Sequence, residues 1–251
     1  MNKRNILAKY LFCNSVTFKF VLITFMNQIL SNISISINKE LYVKDPHTSL
    51  LGKSILNVAI DLIDNLGFEQ FTFKKLANEI KTSEASIYRY FENKHKLLLY
   101  LTNCYWAGIL TRLLFETNNI IDPKLRLKKA IHILTSFPDP ARDSLFTNEQ
   151  ILKRIVINEA VKALITKEVD QENQVGIFSV YKDVVNAVVV IILDVSPNYP
   201  YPNMLVSSMI EGSNQQRFFA EHLPRLTNSR KEEDLVEHFY LDLVFKTLKN
   251  D

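Results

Sequence analysis

The chain has 251 residues, of which 47% are hydrophobic, and a chain of this length can bury a core without disulfide bonds. Its five glycines form no Gly-rich phosphate loop, which excludes the P-loop and the Rossmann fingerprint, and its two cysteines match no metal-ligand or redox spacing. The net charge is +3, but residues 1–103 carry +5 and the remainder −2, as expected for a nucleic-acid-binding amino-terminal part on a neutral body.

The first 46 residues carry an ambiguous signal. An apolar segment at residues 6–25 follows a basic start and superficially resembles a signal peptide. However, Lys9 and Lys19 interrupt it, no small-residue cleavage site follows, and the polar residues further on make a transmembrane span unfavourable. We therefore interpret residues 1–46 as a disordered or mis-started extension and linker, with Met26 as a candidate true start. The alternative is a membrane-anchored or exported helical protein that uses this apolar segment.

The next sixty residues contain side chains that typically cap helices. Apolar residues recur between them at spacings of three and four, which predicts short amphipathic helices. The expected elements are a helix at residues 51–66 that ends at Gly67, a helix capped by Thr72, a turn at 81–83, a helix at 84–90 capped by Ser83, and a fourth helix capped by Asn93.

Two short helices joined by a three-residue turn and braced by a third helix have the geometry that places a helix in the major groove of DNA. Small or polar residues on the second of them let the backbone approach base edges, and donors on its flanks can bind phosphates. Tyr88 and Tyr90 are two positions apart and face different sides of the helix, so at least one should be exposed. The base-reading candidates are Glu84, Ala85, Ser86 and Arg89, and the other predicted DNA-binding residues are Thr72, Lys74, Ser83, Tyr88, Tyr90 and Lys94.

The run GFEQFTFKKLANEIKTSEASIYRYFENKHKLL, at residues 67–98, resembles the amino-terminal signature of TetR/AcrR-type transcriptional regulators. The matching positions are Gly67, Phe68, Thr72, Leu76, Ala77, Ser83, Ile87, Tyr88, Tyr90, Phe91, Asn93 and Lys94. Three positions depart from the pattern. Lys81 stands where glycine usually begins the turn, and a left-handed lysine there costs about 1 kcal/mol relative to glycine. Glu84 replaces a frequent lysine, and Glu92 a frequent proline.

The resemblance implies an all-α protein in which a helix-turn-helix domain, residues 47–103, precedes a helical ligand-binding and dimerisation domain, residues 104–251. It also implies a homodimer that reads a partly palindromic operator in double-stranded DNA and responds to a small-molecule effector. Dimers of this kind pair through their last two long helices, here expected at residues 203–220 and 231–248. Effector binding would change the spacing of the two DNA-binding heads, and a repressor is expected more than an activator.

Helical periodicity continues through the carboxy-terminal part. Residues 184–195 are rich in β-branched side chains, so a buried strand competes there with helix; we favour helix because the flanking segments have helical periodicity. The expected helices before the last two lie at residues 105–117, 123–135, 145–166 and 172–193.

Aromatic and histidine side chains of this part are candidates for an effector cavity, although each alone is better explained by packing. They are Tyr105, Trp106, His132, Phe178 and Tyr181. A helical enzyme that has acquired a DNA-binding head would need a catalytic pair, and none is recognisable. We therefore expect a cytoplasmic regulator that is not an enzyme, with no cofactor, no metal site and no membrane partner.

Overall fold

The computed structural model describes residues 37–137, 149–230 and 232–249, and every regular element within these ranges is helical. The predicted all-α fold is therefore confirmed. Residues 1–36 of the predicted extension and linker, which include Met26, lie outside the described residues. The α-helices of the described ranges are α1 (Leu50–Leu66), α2 (Phe73–Glu79), α3 (Glu84–Tyr88), α4 (Lys94–Thr117), α5 (Pro123–Thr135), α6 (Glu149–Leu164), α7 (Val169–Gln174), α8 (Ser179–Val195), α9 (Pro202–His222) and α10 (Val236–Leu248).

Residues 37–46, which the sequence indicated as linker, are folded onto the helices. Leu41 is 1% exposed and lies in a short 3₁₀ turn, Lys39–Leu41, that Asn38 caps. The Asn38 side chain also donates a hydrogen bond to the Val175 carbonyl, at 2.8 Å. The ring of Tyr42 packs edge-on against Tyr100, with 5.9 Å between centroids. These contacts join the segment to both α4 and the turn after α7.

Helix α1 begins where expected, because the Ser49 hydroxyl accepts a hydrogen bond from the Gly52 amide at 3.0 Å. Gly52 is needed for a close approach: a Cβ there would lie 2.2 Å from the carbonyl oxygen of Pro46. The helix ends at Gly67, whose φ of 75° is in the range that favours glycine. Both ends of α1 are therefore set by local side-chain and backbone chemistry.

Helix α4 runs unbroken through residue 103, where the sequence suggested the junction between two domains. Its buried polar residues do not interrupt it, because their side chains donate to backbone carbonyls of the preceding turn. The side-chain amide of Asn103 donates to the Leu99 carbonyl at 2.9 Å, and the Thr111 hydroxyl donates to the Ala107 carbonyl at 2.8 Å. In length and composition α4 could cross a membrane, but 83% of its apolar window is buried inside the fold, as in a core helix. It runs from the head into the body.

The body differs from the predicted helix boundaries at two places. The helix expected at residues 172–193 is divided into α7 and α8 at Gly176, which has a φ of 81°. Helix α10 begins five residues later than expected, at Val236, because Ser229 and Asp234 hold a turn before it. The Leu235 amide donates to the Ser229 hydroxyl at 3.1 Å, and the Val236 amide to the Asp234 carboxylate at 3.0 Å.

The β-branched stretch at 184–195 forms the second half of α8, so the helical interpretation is confirmed. Its buried side chains recur at helical spacing, at Val184, Val188, Ile191 and Ile192. They face the core of the body, which α4, α5, α6, α9 and α10 complete. Packing against this core stabilises the helix, although valine and isoleucine locally prefer strands.

Candidate nucleic-acid interface

The head consists of α1, α2 and α3, followed by the start of α4. The predicted capping side chains form the expected hydrogen bonds. The Thr72 hydroxyl accepts from the Lys75 amide at 3.2 Å, and the Ser83 hydroxyl from the Ser86 amide at 3.2 Å. The side-chain oxygen Oδ1 of Asn93 accepts a hydrogen bond from the Lys96 amide at 2.8 Å at the start of α4. These bonds fix where α2, α3 and α4 begin. The side chains that hold the helices together, Ile55, Phe71, Leu76, Ile87 and Phe91, are fully buried.

The turn between α2 and α3 adopts the conformation that glycine would favour. Lys81 has a φ of 54°, which among the described residues makes it the single non-glycine residue with positive φ. The turn is closed by the Thr82 amide, which donates to the Ala77 carbonyl at 2.9 Å. The predicted left-handed lysine is therefore confirmed. The exposed Lys81 places a cation beside α3. Lys81 was not among the predicted DNA-binding residues, although the sequence showed a lysine where glycine is usual.

Most of the predicted DNA-binding residues lie on the outer side of α2, α3 and their caps. Tyr88 is 50% exposed, and its ring is held by edge-on contact with Phe73, at 5.0 Å between centroids. This contact holds the ring in place while half of the residue stays exposed. The exposed members of the set are Thr72, Lys74, Ser83, Ala85, Tyr88 and Arg89, and the half-buried members are Glu84 and Ser86.

Tyr90 corrects the predicted set, because the structure places it in the core. It is 4% exposed, and its hydroxyl is hydrogen-bonded to the Ser49 hydroxyl at 2.7 Å. Its carbonyl accepts from the Val43 amide at 2.8 Å, and the Lys44 ammonium lies 5.3 Å from its ring centroid. Tyr90 therefore joins α1 and the segment before it to the end of α3, and its hydroxyl is not presented to a phosphate.

Lys94 is also occupied within the protein. Its ammonium donates to three carbonyl oxygens of the loop between α1 and α2: Phe68 at 3.0 Å, Glu69 at 3.2 Å and Phe71 at 3.3 Å. It also lies 4.7 Å from the centroid of the Phe68 ring. An ammonium has three hydrogens to donate, and these bonds use all of them. In this geometry Lys94 fastens the loop to α4 and has no donor left for DNA.

Comparison with protein families agrees with this geometry. Residues 55–101 match the model of the bacterial regulatory proteins of the tetR family. The matched range includes the turn at Lys81, the whole of α2 and α3, and the start of α4. The head of the chain is therefore similar to the amino-terminal part of tetR-family regulators.

The similarity to individual relatives is low in sequence. An uncharacterized HTH-type transcriptional regulator, YuxN of Bacillus subtilis, is 29% identical over 82 residues, which are 33% of this chain and 28% of YuxN. The match to the structure of a tetR-family regulatory protein from Rhodococcus RHA1 covers 80% of this chain and 97% of the Rhodococcus chain, with 13% identity and a TM-score of 0.57. The match to the structure of AibR in complex with isovaleryl coenzyme A and operator DNA covers 77% of this chain and 97% of the AibR chain, with 17% identity and a TM-score of 0.50.

The body brings together three of the five effector-cavity candidates. Trp106, Phe178 and Tyr181 line a small cavity between α4, α8 and α9. The Trp106 and Tyr181 rings are 4.5 Å apart, and the Tyr181 hydroxyl donates to the Glu211 carboxylate at 2.5 Å. The free volume is about 20 Å³, enough for about one water molecule. The side chains therefore fill this region in the conformation described.

The other two candidates lie elsewhere. The imidazole of His132 contacts the Glu237 carboxylate at 3.0 Å and so joins α5 to α10. Tyr105 packs against the Trp106 ring, and the ammonium of the buried Lys153 lies 5.5 Å from its centroid. Burial, followed by the charge of Arg217, lowers the pKa of Lys153 to about 7. The described residues contain no group of three His, Cys, Asp or Glu side chains that could hold a metal ion.

Proposed function

We propose that the protein is a ligand-responsive transcriptional repressor that binds a palindromic operator as a homodimer and is released by a small-molecule effector. The observation that carries this proposal is the exposed polar surface of α2 and α3. This surface belongs to a three-helix head whose helices are capped and packed together. The unbroken helix α4 connects the head to the body.

We assign the DNA contacts by exposure and chemistry. Ala85, Ser86 and Arg89 are suited to base edges, because small residues permit close approach and a guanidinium can donate two hydrogen bonds to guanine. Glu84 is suited to the amino group of cytosine. The phosphate contacts fall to the exposed donors of the flanks, Thr72, Lys74, Lys81, Ser83 and Tyr88. Tyr90 and Lys94 support these residues by holding the head together.

A homodimer is supported by the surface of the last two long helices. Phe239 is 53% exposed and Leu243 is 40% exposed, and their spacing of four places them on one face of α10. Met204 on α9 is 67% exposed. Large apolar side chains that recur on neighbouring helices typically mark a surface that another protein covers. A second copy of the chain is the occupant that a palindromic operator requires.

Release by an effector is supported by the fold relative AibR, which was solved in complex with isovaleryl coenzyme A and operator DNA. We propose the cytoplasm as the location, because the protein must reach DNA. The alternative of a membrane-anchored protein depends on residues 6–25, which lie outside the described residues. Expression from Met1 and from Met26, followed by fractionation, separates the two: a functional form found only in the membrane fraction would contradict this location.

The experiment that tests the proposal is selection of bound sequences from a random DNA pool, combined with light scattering of the free protein and of its complex. A dimer and a site with two inverted half-sites are expected. A monomer in both states, or a selected pool without inverted symmetry, would contradict the proposed mode of binding. Arg225→Ala is a suitable control, because Arg225 is exposed in the turn after α9 and belongs to none of the helices of the head.

A further inference from the structure

A second, larger cavity opens in the body between α6, α9 and the turn before α10. Its volume is about 370 Å³, which is within the range of small-molecule sites. Phe137 and Ile157 contribute apolar surface to it. Its charged lining residues are Arg154, Arg217, Arg230, Glu221 and Asp234. Guanidinium groups outnumber carboxylates, and apolar surface lies beside them, so the cavity suits an organic anion better than a cation.

Arg217 carries an unused donor. It is 8% exposed, its Nε and Nη2 donate to the Asp234 carboxylate at 3.1 and 2.7 Å, and Nη2 also bonds to the Thr135 carbonyl. Its Nη1 is buried and has no hydrogen-bond partner. A buried donor without an acceptor is unfavourable, and such a group calls for an explanation. An anion bound in the cavity that Arg217 lines would supply the missing acceptor.

Arg154 lies at the cavity and is also bonded to α1. It lines the cavity, and it also forms a two-pronged ion pair with Asp64 in the last turn of α1, with Nε–Oδ1 at 2.9 Å and Nη2–Oδ2 at 2.6 Å. One turn further along α6, the Glu159 carboxylate accepts from the Phe68 amide at 3.1 Å. The helix that lines the cavity therefore also holds the end of α1 through two long-range bonds.

We propose that this cavity binds a small organic carboxylate, which takes Arg154 from Asp64 and so loosens the contact between α6 and the head. The carboxylate accepts hydrogen bonds from Arg154, from Arg230 and from the unpartnered Nη1 of Arg217. Its apolar part lies against Phe137 and Ile157. A carboxylate matches the planar fork of a guanidinium, so it can replace the Asp64 carboxylate atom for atom. The regulatory meaning of this site rests on the proposed function.

The test is isothermal titration calorimetry of the full chain with benzoate, octanoate and inorganic phosphate, with benzamide as the uncharged counterpart of benzoate. Benzoate or octanoate should bind and benzamide should not. Arg154→Gln and Arg230→Gln should each weaken binding about tenfold, the usual effect of losing one charge-assisted hydrogen bond. Asp64→Asn should instead tighten binding, because it frees Arg154. A purely structural role for the Arg154–Asp64 pair would not produce opposite effects of its two members.

Matched controls are Arg225→Gln and Asp61→Asn, since Asp61 is exposed on the same helix as Asp64. Neither should change the affinity. If Arg154→Gln fails to fold, Arg230→Gln carries the test, because Arg230 is exposed. Failure of both benzoate and octanoate to bind, whether or not phosphate binds, or weaker binding by Asp64→Asn, would overturn the proposal. The measurement uses no DNA, so failure of the operator prediction and failure of this site give different results.

Discussion

Tyr88 and Tyr90 are separated by a single residue and have opposite environments in the head. Tyr88 is 50% exposed and its ring rests on Phe73, whereas Tyr90 is 4% exposed and its hydroxyl is bonded to Ser49. The same functional group therefore has two roles. Tyr88 lies on the exposed surface that we propose as the DNA contact, whereas the Tyr90 hydroxyl joins α3 to the start of α1.

Removal of each hydroxyl separates these roles. Tyr88→Phe keeps the contact with Phe73 but loses a phosphate hydrogen bond, so operator affinity should fall about fivefold with little change in stability. Tyr90→Phe should lower the free energy of unfolding by about 1 kcal/mol and leave affinity unchanged. Gel-shift titration and urea unfolding of both variants measure this. Loss of affinity in Tyr90→Phe alone would reverse the assignment.

Arg89→Ala should alter sequence preference more than overall affinity, because an exposed guanidinium on α3 is suited to a base edge. Selection from a random DNA pool by the native protein and the variant should give sites that differ at one position in each half-site. Lys74→Ala is the matched comparison, since a phosphate contact lowers affinity for all sequences alike. Identical selected sites for Arg89→Ala and the native protein would remove Arg89 from the base-reading residues.

Lys94→Met should destabilise the protein by about 2 kcal/mol, because three carbonyl oxygens of the loop lose a charged donor. The salt dependence of DNA binding distinguishes this role from a phosphate contact. If Lys94 only fastens the loop, the slope of log affinity against log salt is unchanged, whereas Lys81→Met should reduce the slope by about one unit. A reduced slope for Lys94→Met would restore the phosphate role suggested by the sequence.

Gly212→Ala should destabilise the contact between α9 and α10, because a Cβ at this position would lie 2.0 Å from the Tyr240 hydroxyl oxygen. Tyr240 is 6% exposed and has little room to move, so a cost of about 1–3 kcal/mol is expected. Combining it with Tyr240→Phe should recover part of the loss, since the next ring atom, Cζ, is 3.2 Å away. Thermal unfolding of the single and double variants measures the coupling. Additive effects would show that the two residues do not clash.

The buried Lys153 should make stability depend on alkaline pH. Burial lowers its pKa from 10.5 to about 7, so between these values the unfolded chain holds a proton that the folded protein lacks. Stability should therefore rise with pH in this window, by about 1.4 kcal/mol per unit, and level off below pH 7. Urea unfolding at pH 7.5 and 9.0 measures the slope against Lys153→Met, which should lack this contribution. Equal slopes would show that Lys153 keeps its proton in the fold.

The helix-turn-helix head could be predicted from sequence because its signals are local. Thr72, Ser83 and Asn93 each accept a hydrogen bond from an amide three residues further along the chain, and the turn at Lys81 is closed within six residues. Local bonds of this kind depend on residue type and spacing, both of which can be read from the chain.

Only the tertiary structure decided which members of the site face solvent and how the head meets the body. Tyr90 is bonded to a residue 41 positions away, Lys94 to carbonyls 23–26 positions away, and Arg154 to Asp64 at a separation of 90. Such contacts form because packing brings distant segments together, and no local pattern specifies the partner. The sequence alone determined that a DNA-binding head exists, and the packing determined which of its polar side chains remain available to DNA.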